Sequence, residues 1–318
     1  MIGIVNGTSI RQLWHHDELP PRTLPPANSK GNRGNKGIMG YQSKKLHHQL
    51  INDHFQNSKR YDVPKCQLLL ADIPYNVGKN AYGSNPSWYE GGDNSNGESK
   101  LANTSFFDTD KNFRLSEFLN FCTRMLIKEP KEAGRAPAMI VFCAFDQQFE
   151  LIDKAKEHGL NNYINLVFRK NFSAQVLKAN MRIVGNCEYA ILLYRDKLPK
   201  FNNNGKMVFN CMEWEKDSSK TPKLHPNQKP LKVLQKLISI FTDPGDVVID
   251  PVAGSGSTII AALRSGRSGY GFEIKKNFYK DASQWLEHEL SQGQLKYDLP
   301  NMRSRTDAFG KSTQALEL

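Results

Sequence analysis

Residues Gly245–Ser257 read GDVVIDPVAGSGS, and the fold turns on how this stretch is read. Val247–Asp250 is the text of a short buried strand, apolar and β-branched until its last residue. Two glycines spaced by one residue follow, and an apolar helical pattern starts near Thr258. Gly254 and Gly256 let the backbone pass close to a ligand, where any Cβ would intrude. A strand that feeds a glycine turn and then a helix belongs to a doubly wound sheet. Glu273 closes the next strand, GYGFE, 17 residues after Gly256. An acid there suits hydrogen bonding to ribose hydroxyls.

A dinucleotide, a nucleotide and S-adenosylmethionine all fit such a turn. The full GxGxxG is absent, since Thr258 and Ile259 stand beyond the second glycine, and no Gly-Lys-Ser/Thr phosphate loop exists. Asp250, just before the turn, repels a pyrophosphate and attracts an ammonium or a sulfonium. The balance favours S-adenosylmethionine.

Working outward, the periodicity predicts strands at Cys66–Ala71, Ala138–Cys143, Tyr163–Arg169, Glu188–Tyr194, Val247–Asp250 and Gly269–Glu273. It predicts helices at Arg114–Ile127, Gln147–Glu157, Pro230–Phe241, Thr258–Arg264 and Tyr279–Leu290, and a short one from Tyr41 carrying Leu46, Leu50 and Phe55. Short buried strands alternating with helices indicate an α/β fold with a mainly parallel sheet. Residues 1–40 are rich in Pro, Gly, Asn and Lys and read as an irregular basic arm. The domain then occupies 41–290, and 291–318 is a C-terminal tail. Two insertions interrupt it: the Gly- and Asn-rich loop 76–111, and a basic segment at about 195–224 with Phe201, Phe209 and Trp214. A loop as long as the first is usually functional or disordered.

The net charge is +11, from 43 basic and 32 acidic residues. Residues 1–60 and 168–224 each carry an excess of six positive charges, and the remainder is close to neutral. Concentrated positive charge favours a polyanion, nucleic acid first. Five single cysteines without a CxxC pair point to reduced thiols rather than disulfides or a zinc site. No apolar run approaches a membrane span, so a cytoplasmic protein without membrane contact is expected.

Upstream of the glycine turn, LLLADIPYNVG (Leu68–Gly78) ends a greasy strand on a carboxylate, and KLHPNQKPLKVLQKLI (Lys223–Ile238) starts a helix at Pro230. Taken together, DIPY (Asp72–Tyr75), HPNQKP (His225–Pro230), DPVAGSGS (Asp250–Ser257) and GFE (Gly271–Glu273) resemble the β-class amino-methyltransferases of DNA, in motif content and in motif order. Phe107-Asp108, FRKN (Phe168–Asn171) and the Glu188–Arg195 strand resemble the intervening blocks. The resemblance covers roughly 60–290. It departs at Ile73, where the family has proline, at Val252-Ala253, and at Ser257.

The resemblance implies a single Rossmann-like S-adenosylmethionine-dependent domain with a seven-stranded, mainly parallel sheet and helices on both faces. It implies methyl transfer to the exocyclic amine of a flipped-out base in DNA. Asp72 at the head of the tetrad leans toward adenine N6, with cytosine N4 as the alternative. RNA or protein methylation and an idle DNA-binding subunit rank lower. Asp72 is then the amine acceptor and charge stabiliser, the Ile73 carbonyl the second acceptor, Pro74 the turn, and Tyr75 the stacking ring. The Ile73 side chain has no assigned part. The cofactor set is Asp250, Pro251, Ala253, Gly254, Ser255, Gly256, Ser257 and Glu273, with His225, Asn227 and Lys229 lining the pocket from the other side. Expected DNA contacts are Lys79, Trp88, Arg169, Lys170, Lys178, Arg182, Arg195 and Lys197, with 195–224 as the target-recognition segment. DNA is the expected partner, and a homodimer and a cognate restriction endonuclease are open possibilities.

Overall fold

Leu68, Leu69 and Leu70 are all fully buried, and consecutive side chains of a strand point to opposite faces. Such a run requires a strand covered on both sides, as in a parallel sheet with helices above and below. The computed structural model shows this arrangement; it describes residues 46–75, 113–171, 175–178, 183–218, 221–225 and 228–306. In chain order the elements are β1 (His48–Ile51), a 3-10 turn (Phe55–Arg60), β2 (Leu68–Asp72), α1 (Leu115–Met125), β3 (Ala138–Cys143) and α2 (Gln147–Glu157). Then come β4 (Asn162–Lys170), β5 (Gln175–Lys178), β6 (Ile183–Gly185), β7 (Cys187–Tyr194) and β8 (Cys211–Trp214). The chain continues with α3 (Leu231–Phe241), β9 (Val247–Asp250), α4 (Ser257–Arg264), β10 (Ser268–Phe272) and α5 (Lys276–Thr306).

The main sheet has the order β1-β10-β9-β2-β3-β7-β4-β8. Its left part, from β1 through β3, is parallel throughout, and β7 runs antiparallel between β3 and β4. From β2 the chain crosses through α1 to the right, and from β9 it crosses through α4 to the left. The β2/β9 border is therefore the switch point, where the carboxyl ends of open α/β sheets bind ligands. Leu68 and Leu70 pack with α3, α4 and α5 through Leu234, Ile259 and Trp285. Leu69 and Ala71 pack with α1, α2 and the 3-10 turn through Phe118, Leu151 and Phe55.

Three expectations need correction. The sheet has eight strands among the described residues rather than seven: to the six read from the sequence are added β1, parallel to β10, and Cys211–Trp214, parallel to β4. Of the helix expected from Tyr41, residues 41–45 lie outside the described residues and the rest is β1 followed by the 3-10 turn: Leu50 and Ile51 pack on opposite faces, the period of two of a strand, whereas the spacing of Leu46, Leu50 and Phe55 imitates a helix. The last helix, expected to stop at Leu290, extends to Thr306. Residues 1–40, the loop 76–111, and Phe107-Asp108 lie outside the described residues.

Helix α4 lies close on β10. A Cβ at Gly271 would meet Ile259 Cδ1 at 2.6 Å and Ala253 Cβ at 2.9 Å. Gly271→Val should therefore destabilise the protein by about 1–3 kcal/mol. Urea unfolding of the variant against the wild type measures this, and an unchanged midpoint would contradict the packing.

Candidate active site

Three carboxylates meet at the switch point: Asp72 ends β2, Asp250 ends β9, and Glu273 follows β10. Parallel pairing puts them at the same edge, with Gly271 opposite Asp250 in register. Asp72 Oδ2 accepts from Lys229 Nζ at 2.6 Å, while its Oδ1 is buried with no hydrogen-bond partner among the described residues. Burial raises the Asp72 carboxyl above its ordinary range, and the charge and hydrogen bond of Lys229 oppose that rise.

The tetrad around Asp72 is held from several sides. Ile73 donates its N–H to the Phe142 carbonyl at 3.2 Å, a bond that proline at this place would forgo. Its own carbonyl accepts no hydrogen bond from the described residues. The Ile73 side chain, unassigned from sequence, is buried among Ile51, Ala71 and Leu151 on the α1/α2 face. Gln147, the first residue of α2, accepts from the Ala144 N–H at 3.0 Å and donates to the Pro74 carbonyl at 2.9 Å. The Tyr75 hydroxyl donates to Glu188 Oε2 at 3.1 Å and accepts from Lys229 at 3.3 Å. Glu188 in turn pairs with Lys170, and both lysines hold its carboxyl below the ordinary range against the cost of burial.

On the neighbouring strand, Asp250 is 3 % exposed. Burial pushes its carboxyl up to about 7, against hydrogen bonds from Thr258 and the Val252 N–H; the charges of Asp72 and Glu273 push the same way as burial. Gly254 and Gly256 both have left-handed φ, 51° and 74°. They differ in what stands over them. A Cβ on Gly254 would meet only His225 Cδ2, at 3.9 Å, whereas one on Gly256 would press on Ala282 of α5 at 3.2 Å. The open cradle is thus at Gly254, and Gly256 serves helix packing as well as the cap of α4. Gly254 N–H donates to Glu273 Oε2 and Lys275 N–H to Glu273 Oε1, which orients that carboxylate at the turn. His225 stacks edge-on against Phe278 at 4.7 Å, and burial together with Lys229 and Lys275 lowers it to about 4, so it is neutral at pH 7.

These features suit S-adenosylmethionine. Asp250 and Glu273 are buried acids without a cation in contact among the described residues, so a sulfonium or ammonium placed beside them favours their anions, and Gly254 leaves room for the ligand. Pro251, Ala253, Ser255 and Ser257 form the turn with the glycines, and Ser255 and Ser257 are buried within it.

The predicted site residues fall into distinct groups. Asp72, Pro74, Tyr75, Asp250, Gly254, Glu273 and His225 converge on one edge. Lys229, expected among the cofactor residues, contacts Asp72 and Tyr75 instead. Lys170 was expected on DNA; it is 8 % exposed, tied to Glu188, and lies over the Trp214 ring at 5.0 Å. Arg195 donates to the carbonyls of Thr123 and Ile127, and Lys197 to those of Pro130 and Lys131. Both stand at the opposite, amino edge of the sheet, because β7 is antiparallel and ends there. They are spent on loop carbonyls rather than offered to phosphate. The segment 195–224 is therefore divided. Its first half crosses the amino edge, where Lys200 pairs with Asp243 and Asp246; only β8 and the residues after it rise to the Asp72 edge, where Asp217 accepts from the Leu231 N–H. Arg169 is exposed at that edge, paired with Glu213. The β5–β6 hairpin leaves and rejoins the sheet at the same edge, between Lys170 and Asn186. Lys79, Trp88, Arg182 and Asn227, and the side chain of Lys178, lie outside the described residues. Sequence reading gave no role to Gln147 or Glu188. No motif marks Gln147, and Glu188 carried a signal as the polar start of an apolar strand that resembles an intervening family block, without a role.

A doubly wound sheet whose switch point joins an acid-ended strand and tetrad to an acid-lined glycine turn defines a Rossmann-like methyltransferase. Residues 66–284 match the family described as DNA methylase, and the chain belongs to that family, the N6/N4 class of DNA methyltransferases. S-adenosylmethionine is the family's methyl donor. Among named relatives, the Type II methyltransferase M.HpaI of Haemophilus parainfluenzae is 34 % identical over 73 % of this chain and 72 % of that protein. The DNA adenine methyltransferase YhdJ of Escherichia coli (strain K12) is 25 % identical over 72 % of this chain and 78 % of its own length. The crystal structure of the M1.HpyAVI–SAM complex shares the fold, with TM-score 0.54 and 21 % identity, covering 75 % of this chain and 98 % of that one.

If Arg195 braces the α1–β3 loop, Arg195→Met should destabilise the protein by about 1.5–3 kcal/mol. DNA affinity at fixed salt should stay unchanged. Denaturant unfolding and fluorescence anisotropy read the two effects; weakened DNA binding at unchanged stability would restore Arg195 to the interface.

Proposed function

We propose that this protein methylates the N6 amine of an adenine swung out of DNA. The observation that carries the reading is the pair of acceptors without partners among the described residues, Asp72 Oδ1 and the Ile73 carbonyl, at the edge shared with the Gly254 cradle. An exocyclic amine is a poor nucleophile because its lone pair is delocalised into the ring. Two acceptors that take its two N–H groups turn that lone pair toward the methyl donor. Adenine is favoured over cytosine by aspartate at the head of the tetrad and by the relation to a protein named as a DNA adenine methyltransferase. Cytosine N4 is the alternative outcome of the test below.

When bound, S-adenosylmethionine supplies an electrophilic methyl group on a sulfonium. Asp250, Gly254, Glu273 and His225 would hold it. The chain's own part in the reaction is positioning and charge. Asp72 Oδ1 accepts one amine N–H and the Ile73 carbonyl the other. Tyr75, its hydroxyl fixed by Glu188 and Lys229, presents its ring for stacking on the extruded base. As the amine nitrogen gains positive charge, the Asp72 carboxylate stabilises it. The nitrogen then sheds a proton, and burial makes Asp72 a stronger base than a free carboxylate to receive it. Arg169 and the β5–β6 hairpin are the proposed phosphate contacts at this edge.

The direct test incubates the protein with methyl-labelled S-adenosylmethionine and DNA, digests the DNA to nucleosides and identifies the labelled one. N6-methyladenine is expected; N4-methylcytosine would move the assignment to the other base. Asp72→Ala should abolish transfer while cofactor binding survives, and retained turnover would remove Asp72 from its role.

A second prediction concerns pH. The Asp250 carboxyl is raised to about 7, so in the free protein it is about half protonated at that pH and largely protonated below it. A cationic ligand favours its anion, so binding should release a proton and weaken as pH falls through 7. Calorimetry in buffers of different ionisation enthalpy reads the proton directly. Identical heats in all buffers near neutral pH would contradict the placement of Asp250 beside the ligand's charge.

A further inference from the structure

We propose that Lys229 is the positioning counter-ion of Asp72, held there by the Lys170–Glu188 pair through the Tyr75 hydroxyl. This rests on the reading of Asp72 as the amine acceptor and adds how that acceptor is kept charged and aimed.

Lys229 is 5 % exposed, on the turn just before Pro230 and α3. Its ammonium stands 2.6 Å from Asp72 Oδ2, 3.3 Å from the Tyr75 hydroxyl, and 5.3 Å from the ring centres of both Tyr75 and Phe142. A carboxylate has two equivalent oxygens. The lysine makes them inequivalent: it engages Oδ2 and leaves Oδ1 as the one without a partner. Rotation about the carboxylate axis then costs a charge-assisted hydrogen bond, which keeps Oδ2 on the lysine and Oδ1 as the acceptor left for the base.

The lysine is itself held. The Tyr75 hydroxyl donates its hydrogen bond to Glu188, which leaves its oxygen as an acceptor toward Lys229. Glu188 is oriented by Lys170, which lies over Trp214 at the end of β4. Two lysines and two carboxylates thus surround one phenol, with charge in balance. Removing one member of a buried pair leaves the other uncompensated, which costs far more than the pair contributes. Among the described residues, the charged and titratable groups that face Asp72 are Lys229 before α3, Glu188 on β7, Asp250 on β9, Cys143 on β3 and Tyr75 beyond β2 itself. Only Lys229 among them favours the Asp72 anion by its charge.

A lysine that served the cofactor instead would give different results. The full-length protein, ligand-free and 13C-labelled at aspartate carboxyls, is titrated by NMR, with Asp72→Asn to assign the signal. In Lys229→Met the Asp72 midpoint should rise by at least about one pH unit, and in Lys229→Arg it should stay near the wild-type value. With DNA, the acid limb of kcat should move up in pH in Lys229→Met while the calorimetric affinity for S-adenosylmethionine holds. An unmoved Asp72 midpoint, or lost cofactor affinity with an unmoved acid limb, would overturn the proposal. The outer pair is tested by charge balance. Lys170→Met and Glu188→Gln should each lower kcat, and the double variant should recover part of the loss; additive losses would remove the pair from the device. If the midpoint shifts but no variant or wild-type protein methylates DNA, the counter-ion stands and the reading of Asp72 as amine acceptor fails.

Discussion

The site depends on a carboxylate partly withdrawn from water, with Oδ2 on a lysine and Oδ1 buried. Asp72 closes a strand buried on both faces, and a charge there is tolerable only with a counter-charge in contact. Lys229 supplies it from a turn 157 residues downstream. The ion pair therefore also joins the two halves of the chain, the β2–β3 half that carries the tetrad and the α3–β9–α4 half that carries the glycine turn. Asp72 and Asp250 come to one edge because β2 and β9 are neighbours in register.

Charge is sorted by edge. Acids gather at the carboxyl ends of β2, β9 and β10, where a cationic cofactor suits them. Two cations of the basic segment at 168–224, Arg195 and Lys197, close carbonyl-rich loops at the amino edge. Others stay on the Asp72 edge, either buried in the network around Tyr75, as Lys170 is, or exposed, as Arg169 is. A count of lysines and arginines cannot separate these uses. Whether a cation meets phosphate depends on which edge its strand ends on, and that follows from strand direction.

Ile73 shows how a departure from a family pattern can be absorbed. Its N–H extends the ladder to Phe142, and its side chain fills the α1/α2 core. The proposed chemistry uses only its carbonyl, which any residue supplies. The tetrad thus tolerates a change that alters packing and leaves the functional atom in place.

Much was legible before the structure. The alternation of buried strands and helices, the glycine turn after Asp250, and DIPY with HPNQKP marked the fold, the family and the converging residues, because strand period and close backbone approach are local properties. The first strand was misread because Leu46, Leu50 and Phe55 match a helical spacing, and β1 declares itself only by pairing with β10. The eighth strand was missed for the same reason, since CMEW becomes a strand only beside β4. The roles of Lys229, Glu188, Lys170 and Gln147 were also beyond reach of the text. The sequence by itself determined which residue types stand at strand ends and turns. Tertiary structure alone decided which of them touch, because a buried charge takes its partner from whatever element the topology folds against it.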